Sequence, residues 1–213
     1  LTAGEQIGSR NRPKWLIISA ILFGLGLYAY HSERIFLPIL VACLSWIYRK
    51  ELFAQKRVIG VAVIAGFFTV APLLRIFFDS NTLTRLRGTS SLADQTMLLS
   101  RSAAKLEKDE RSGNQWGIIF DNRRLVWAKT LVNGYLSHYS FRWLFLTGDN
   151  PRHHAPDMGL LYLWELPFLL WGAYALSKNG GRTASFLFSW FLIAPIAASP
   201  TTELPHAVRS IVF

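Results

Sequence analysis

The stretch from Met158 to Leu176 reads MGLLYLWELPFLLWGAYAL, and Glu165 is its single ionisable residue. An α-helix needs roughly 20 predominantly apolar residues to cross about 30 Å of hydrocarbon, and this run has that length. Four further runs share its character: Trp15–Tyr30, Ile35–Tyr48, Val58–Leu74 and Ala184–Ala198. Val58–Leu74 comes close to spanning length, and the other three reach it only with their flanks. Aromatic residues stand at the ends of the first two, Trp15, Tyr28 and Tyr30, then Trp46 and Tyr48. Such rings anchor helices where membrane meets water. A soluble chain of 213 residues burying five such runs would have too little polar surface to cover them. The fold expected is therefore all-α: a polytopic membrane protein with about five transmembrane helices, plus an external segment carrying amphipathic helices.

Composition supports the same class. Hydrophobic residues make up 51% of the chain and aromatic residues 14%, which excludes disorder, whereas only 17% are charged. Mean hydropathy is +0.25. Cys43 is alone within an apolar run, so no disulfide framework is available. The net charge of +10 on its own would point to a polyanionic partner. Its distribution argues otherwise.

Three short segments carry most of it. Residues 1–14 hold Arg10, Arg12 and Lys14 against Glu5, residues 49–57 hold Arg49, Lys50, Lys56 and Arg57 against Glu51, and residues 177–183 hold Lys178 and Arg182. Alternate threading of five spans puts all three on one side, which the positive-inside rule identifies as cytoplasmic. The expected division is three transmembrane helices over 1–77, an external helical segment over 78–157, and two transmembrane helices with the start of a further segment over 158–213. Localisation follows: a multi-pass protein of the cell inner (plasma) membrane, with 78–157 on the external or periplasmic side. Nucleic acid is not an expected partner.

Trp15–Tyr30 has no small-residue cleavage site and runs on through Tyr30-His31-Ser32-Glu33-Arg34 into another apolar run, so it does not read as a signal peptide. The chain starts at Leu1 and closes on Ser210-Ile211-Val212-Phe213, which reads as the first turn of another apolar segment. The expectation is an internal piece of a larger polytopic protein. In the external segment, Ser91 with Asp94 resembles a capping box ahead of Leu92, Met97, Leu98, Leu99, Ala103 and Leu106, in a helix closing near Gly113. A second helix is expected after Asp121, running through Leu125, Ala128, Val132, Tyr135, Leu136, Tyr139, Trp143 and Leu146 to Thr147-Gly148-Asp149-Asn150-Pro151. Arg123, Arg124 and Lys129 open its polar side. Such a helix either lies at the membrane interface or packs on other protein.

The signatures of soluble enzymes are missing: no Walker loop, no G-x-S-x-G, no H-E-x-x-H and no G-x-G-x-x-G. Gly24-Leu25-Gly26 reads as helix packing. His153-His154 with Asp149 and Asp157 matches no standard metal spacing, so neither a metal nor a cofactor is expected. Three clusters fall at one face of the threaded bundle: Tyr30-His31-Ser32-Glu33-Arg34, Gly148-Asp149-Asn150-Pro151-Arg152-His153-His154, and Glu203-Leu204-Pro205-His206-Ala207-Val208-Arg209. Each joins Arg to His. Arginine binds phosphate bidentately and histidine donates or titrates, so converging clusters beside hydrocarbon suit a lipid-linked phosphate. The alternative is that Arg34 and Arg209 snorkel at helix ends. Glu165, seven residues into its run, is expected roughly 10 Å deep at 1.5 Å per residue, as an intramembrane polar site or a structural hydrogen-bonding group. Pro167, two residues on, is expected to open a cavity there.

Tyr28-Ala29-Tyr30-His31-Ser32-Glu33-Arg34 followed by Phe36-Leu37-Pro38 resembles the middle of bacterial GT-C glycosyltransferases, membrane enzymes related to protein O-mannosyltransferases and the lipid A aminoarabinose transferase. Gly148-Asp149-Asn150-Pro151-Arg152-His153, Gly159–Pro167 and Leu204–Ser210 resemble that group's later external loops and spans. The resemblance covers most of the chain and implies transfer of a sugar from a polyprenyl-phosphate donor on the outer membrane face. The partners expected are therefore that lipid-linked sugar and membrane lipid; neither the sugar nor the acceptor is readable from the residues. The family's acidic catalytic residue lies on its first external loop, and nothing in this chain matches it. The catalytic carboxylate is thus expected upstream, and this chain alone is expected to be inactive. Inverting sugar transfer also needs cations for the departing phosphate. Arg34, Arg152, His153, His206 and Arg209 are the candidates, with Tyr30 and His31 lining the same cavity. A multi-pass transporter or flippase for a lipid or anionic solute would share these features and is the competing reading.

Overall fold

The computed structural model describes residues 3–77, 96–150, 155, 157–201 and 204–210. Ser91 and Asp94, Arg152, His153 and His154, and Glu203 lie outside the described residues. Among the described residues the regular structure is helical, with no strand. The helices are α1 (Ala3–Gly26), α2 (Glu33–Ile47), α3 (Arg49–Ala54), α4 (Lys56–Phe77), α5 (Thr96–Ser112), α6 (Gln115–Phe120), α7 (Arg123–Ser137), α8 (Leu166–Asn179) and α9 (Gly181–Ile193). One stretch among them, Lys56–Arg75, is long and apolar enough to cross a membrane, and Lys14–Gly26 is a shorter apolar helix.

The chain forms two compact units, one from 1–83 with 176–193 and the other from 84–175 with 194–213. In the first, α1 packs along α4. Their close approach depends on small residues: a Cβ added at Gly24 would lie 2.9 Å from the Thr69 Cβ, and Gly66 faces Ala20. The Gly24-Leu25-Gly26 pattern thus marks a helix contact. The Tyr28 hydroxyl donates to the Thr69 carbonyl at 2.8 Å and fastens the end of α1 to α4. On its other face α2 meets α9, where fully buried Phe36 stands edge-on to Trp190 at 5.1 Å and Trp190 meets Phe186 at 5.7 Å. Edge-to-face pairs of this kind add about 0.5–1.5 kcal/mol beyond the area they bury.

The second unit gathers α5, α6 and α7. Gly113, with φ 67°, ends α5 where the sequence puts the stop. The Asn114 side chain accepts from the Gly117 N–H and starts α6, and the Asn122 side chain accepts from the Arg124 N–H and starts α7. Ser102 donates to the Asp121 carbonyl at 2.5 Å, tying α5 to the turn ahead of α7. The helix expected to run from Asp121 to Thr147 is interrupted. It stops at Ser137, turns through His138–Ser140, and resumes as a π-helical turn, Arg142–Thr147, that buries Trp143 and Phe145. Wider π-helical winding re-aims side chains that a straight helix would place elsewhere.

The run that begins at Met158 also differs from its sequence reading. Residues 158–162 are not helical; a 3-10 turn at Leu163–Glu165 leads into α8. At 1.5 Å per residue α8 is about 21 Å long. Its residues up to Leu176 are uncharged and none of the helix is buried, with Phe168 70% and Trp171 74% exposed. Pro167 sits in its first turn, where a missing N–H costs nothing, so it opens no gap in the hydrogen-bond ladder.

Candidate phosphate-binding site

The best-built polar site lies in the second unit and centres on Asp149. Gly148, at φ 61°, closes the π-helical turn with its N–H on the Trp143 carbonyl at 3.2 Å. Asp149 follows at once, with a carboxylate side chain only 9% exposed. Its Oδ2 accepts from the Ala207 N–H at 2.8 Å, and His206 Nδ1 stands 3.9 Å from the same oxygen. A hydrogen bond to an ionised acceptor is worth roughly 1.5–3 kcal/mol, enough to hold two loops together. The second loop is itself closed: Ser210 donates to the His206 carbonyl at 2.8 Å across the turn Val208–Ser210, which also carries half-buried Arg209.

Behind this pair lies a second histidine. His138 is fully buried, with Nδ1 2.8 Å from the Gly134 carbonyl. A carbonyl only accepts, so Nδ1 carries the proton and Nε2 holds a lone pair. Nε2 has no hydrogen-bond partner among the described residues, and the Trp143 ring stands edge-on at 5.4 Å. Burial pushes the His138 imidazole below its ordinary range; its backbone bonds to Gly134 and Tyr135 oppose this, and the charge of nearby His206 adds to it. The segment Ala194–Ser199 closes over α7 at Gly134, where an added Cβ would lie 2.5 Å from the Ser199 carbonyl oxygen. Only glycine fits there. Sequence reasoning overlooked His138 because it lay inside a helical run; a histidine among core-facing positions beside Trp143 was the available signal.

The candidate residues separate into groups. His206 and Arg209 share the second unit with the Gly148-Asp149-Asn150 turn, and Asp149 bonds to Ala207 beside His206, while Arg152, His153 and His154 lie outside the described residues. Tyr30, His31 and Arg34 belong to the first unit. There Tyr30 and His31 are exposed, their rings 6.1 Å apart, and Arg34 Nε reaches back to the Leu27 carbonyl at 3.4 Å. Glu33, beside them at the start of α2, has its carboxyl pushed up by burial. Glu165 is not deep in a helix. It is the last residue of the 3-10 turn ahead of α8, where its Oε2 accepts from the Tyr162 N–H at 2.9 Å as one half of a capping box. No three His, Cys, Asp or Glu side chains group as a metal site would require among the described residues. Among the described residues, one buried carboxylate meets a backbone N–H and an imidazole here, an arrangement that fixes the two loops against each other. No family model, curated protein or solved structure matches the chain.

Proposed function

We propose that this chain holds the phosphate of a polyprenyl-linked sugar donor within a polytopic membrane glycosyltransferase acting on the outer membrane face. The observation that carries the reading is the Asp149 clamp. It joins the Gly148-Asp149-Asn150 turn to the turn bearing His206 and Arg209, across 58 residues of chain. In this reading Arg209 and Arg152 are the phosphate-binding cations, and His206, whose Nδ1 stands 3.9 Å from the Asp149 carboxylate, is the hydrogen-bond donor. Membrane residence is supported by α8, whose uncharged residues up to Leu176 are all exposed or half-buried, as lipid contact requires. It is supported again by α4, whose length suffices to span. The sequence resemblance supplies the sugar-transfer chemistry; in this reading a carboxylate outside the phosphate site takes the acceptor's proton.

The test is a donor titration of the complete reading frame in membranes, with polyprenyl-phosphate sugars. Arg209→Ala and Arg152→Ala should each raise the donor KM by roughly 10- to 100-fold, the equivalent of one charge-assisted hydrogen bond. Unchanged donor kinetics in both variants would remove the phosphate-site reading. Movement of labelled lipid across the bilayer without sugar transfer would assign the chain to a flippase instead.

A further inference from the structure

A second basic site lies in the first unit, at the end where α2, α3 and α9 meet. A cleft of about 260 Å³ is lined by Trp46, Ile47, Arg49, Lys50, Arg182 and Ser185. Three cations thus surround one small volume. Among the described residues one carboxylate answers them: Arg182 is hydrogen-bonded to Glu51, which leaves the group positive. The guanidinium of Arg49 lies over the Trp46 ring at 4.5 Å, and that of Arg182 over the Tyr48 ring at 5.7 Å. Stacking restricts both side chains before any ligand arrives and so lowers the entropic cost of binding. Arg182 and Ser185 belong to the first turns of α9, whose leading N–H groups have no intrahelical acceptor and favour an anion.

The surroundings set the class of ligand. Trp46 is 72% exposed at the cleft's edge, and Phe53 on α3 is exposed nearby in the chain. Their rings sit where apolar helices give way to charged segments. A soluble anion leaves the exposed face of that tryptophan in water, whereas a lipid headgroup arrives with acyl chains that cover it. We propose that this cleft binds the phosphate of an anionic phospholipid, separately from the Asp149 site. The inference rests on the membrane reading of the chain but not on sugar transfer, and its test measures no glycosyl product.

The experiment uses the full chain reconstituted in phosphatidylcholine with a trace of spin-labelled lipid. The protein's preference for spin-labelled phosphatidylglycerol over phosphatidylcholine is read from the motionally restricted fraction. Each cation near an anionic headgroup contributes a preference of roughly fivefold. Arg49→Gln with Lys50→Gln leaves the Arg182–Glu51 pair intact and should reduce the preference about fivefold or more; adding Arg182→Gln should abolish most of the remainder. A charge-matched control, Lys105→Gln with Lys108→Gln, should leave it unchanged. Inorganic phosphate is the second probe. If phosphate binding is lost in the variants while lipid preference stays constant, the cleft takes a soluble phosphate and the lipid assignment falls. If neither probe responds to variants that keep wild-type near-ultraviolet circular dichroism, the site itself is overturned.

Discussion

At the scale of single residues, the second unit is organised by polar groups that it hides. Asp149 bonds across 58 residues to the Ala207 N–H, and His138 sits fully buried against Trp143. The sequence shows Asp149 only as one residue in a Gly/Pro turn, because a long-range side-chain-to-backbone bond leaves no periodic trace. His138 has a consequence for acid stability. Its imidazole is held neutral by burial, below the unfolded value near 6.5. Folding therefore excludes a proton that the unfolded chain accepts, so this contribution is complete above about pH 6.5 and is lost as pH falls toward the depressed folded value. Unfolding of the detergent-solubilised chain, followed by near-ultraviolet circular dichroism at pH 7.5 and 5.5, should show a lower midpoint in acid. His138→Gln should narrow that difference. An equal acid shift in the variant would mean that other groups, His206 among them, carry the effect.

At the scale of elements, apolar runs located the helices and misplaced some of their ends. Trp15–Tyr30, Ile35–Tyr48, Val58–Leu74 and Ala184–Ala198 all fall largely within helices, since hydrophobic runs of that length leave the backbone few other ways to satisfy its polar groups. Met158–Leu176 is helical only in its later part. Its opening residues are committed elsewhere: Leu161 donates its N–H to the Leu144 carbonyl at 2.7 Å, a tertiary bond that hydropathy does not register. Glu165 consequently moves from mid-helix to the start of α8, and its carboxylate gains the Tyr162 N–H instead of a buried partner. Loss of an N-terminal capping acceptor costs about 1 kcal/mol. Glu165→Ala should lower thermal stability by that order, while Glu165→Gln, which keeps an acceptor oxygen, should cost less. An intramembrane functional carboxylate would give a different pattern, with Gln as damaging to activity as Ala and stability untouched.

At the scale of the whole chain, the proposed membrane topology rests on where the charges sit. The clusters over 49–57 and 177–183 are far apart in sequence, and the Glu51–Arg182 pair joins them in one unit. In the proposed five-span threading both segments lie on the same side of the bilayer, which allows this pair, and the segment containing α5 and α6 lies on the other. Three neutral, exposed or half-exposed positions test the arrangement without altering any charge: Gln55 and Thr183 in the basic segments, and Ser112 at the end of α5. Each is replaced by cysteine in a Cys43→Ser background and treated in sealed cells with a membrane-impermeant maleimide. The Ser112→Cys chain should label in intact cells. The Gln55→Cys and Thr183→Cys chains should label only after permeabilisation, because the hydrocarbon excludes the reagent from the positive side. Gln55→Cys and Thr183→Cys labelling from opposite sides would contradict the shared unit as well as the five-span reading. Labelling of all three from outside would leave α4 without a crossing, and the exposed apolar surface of α8 would then need a protein partner instead of lipid.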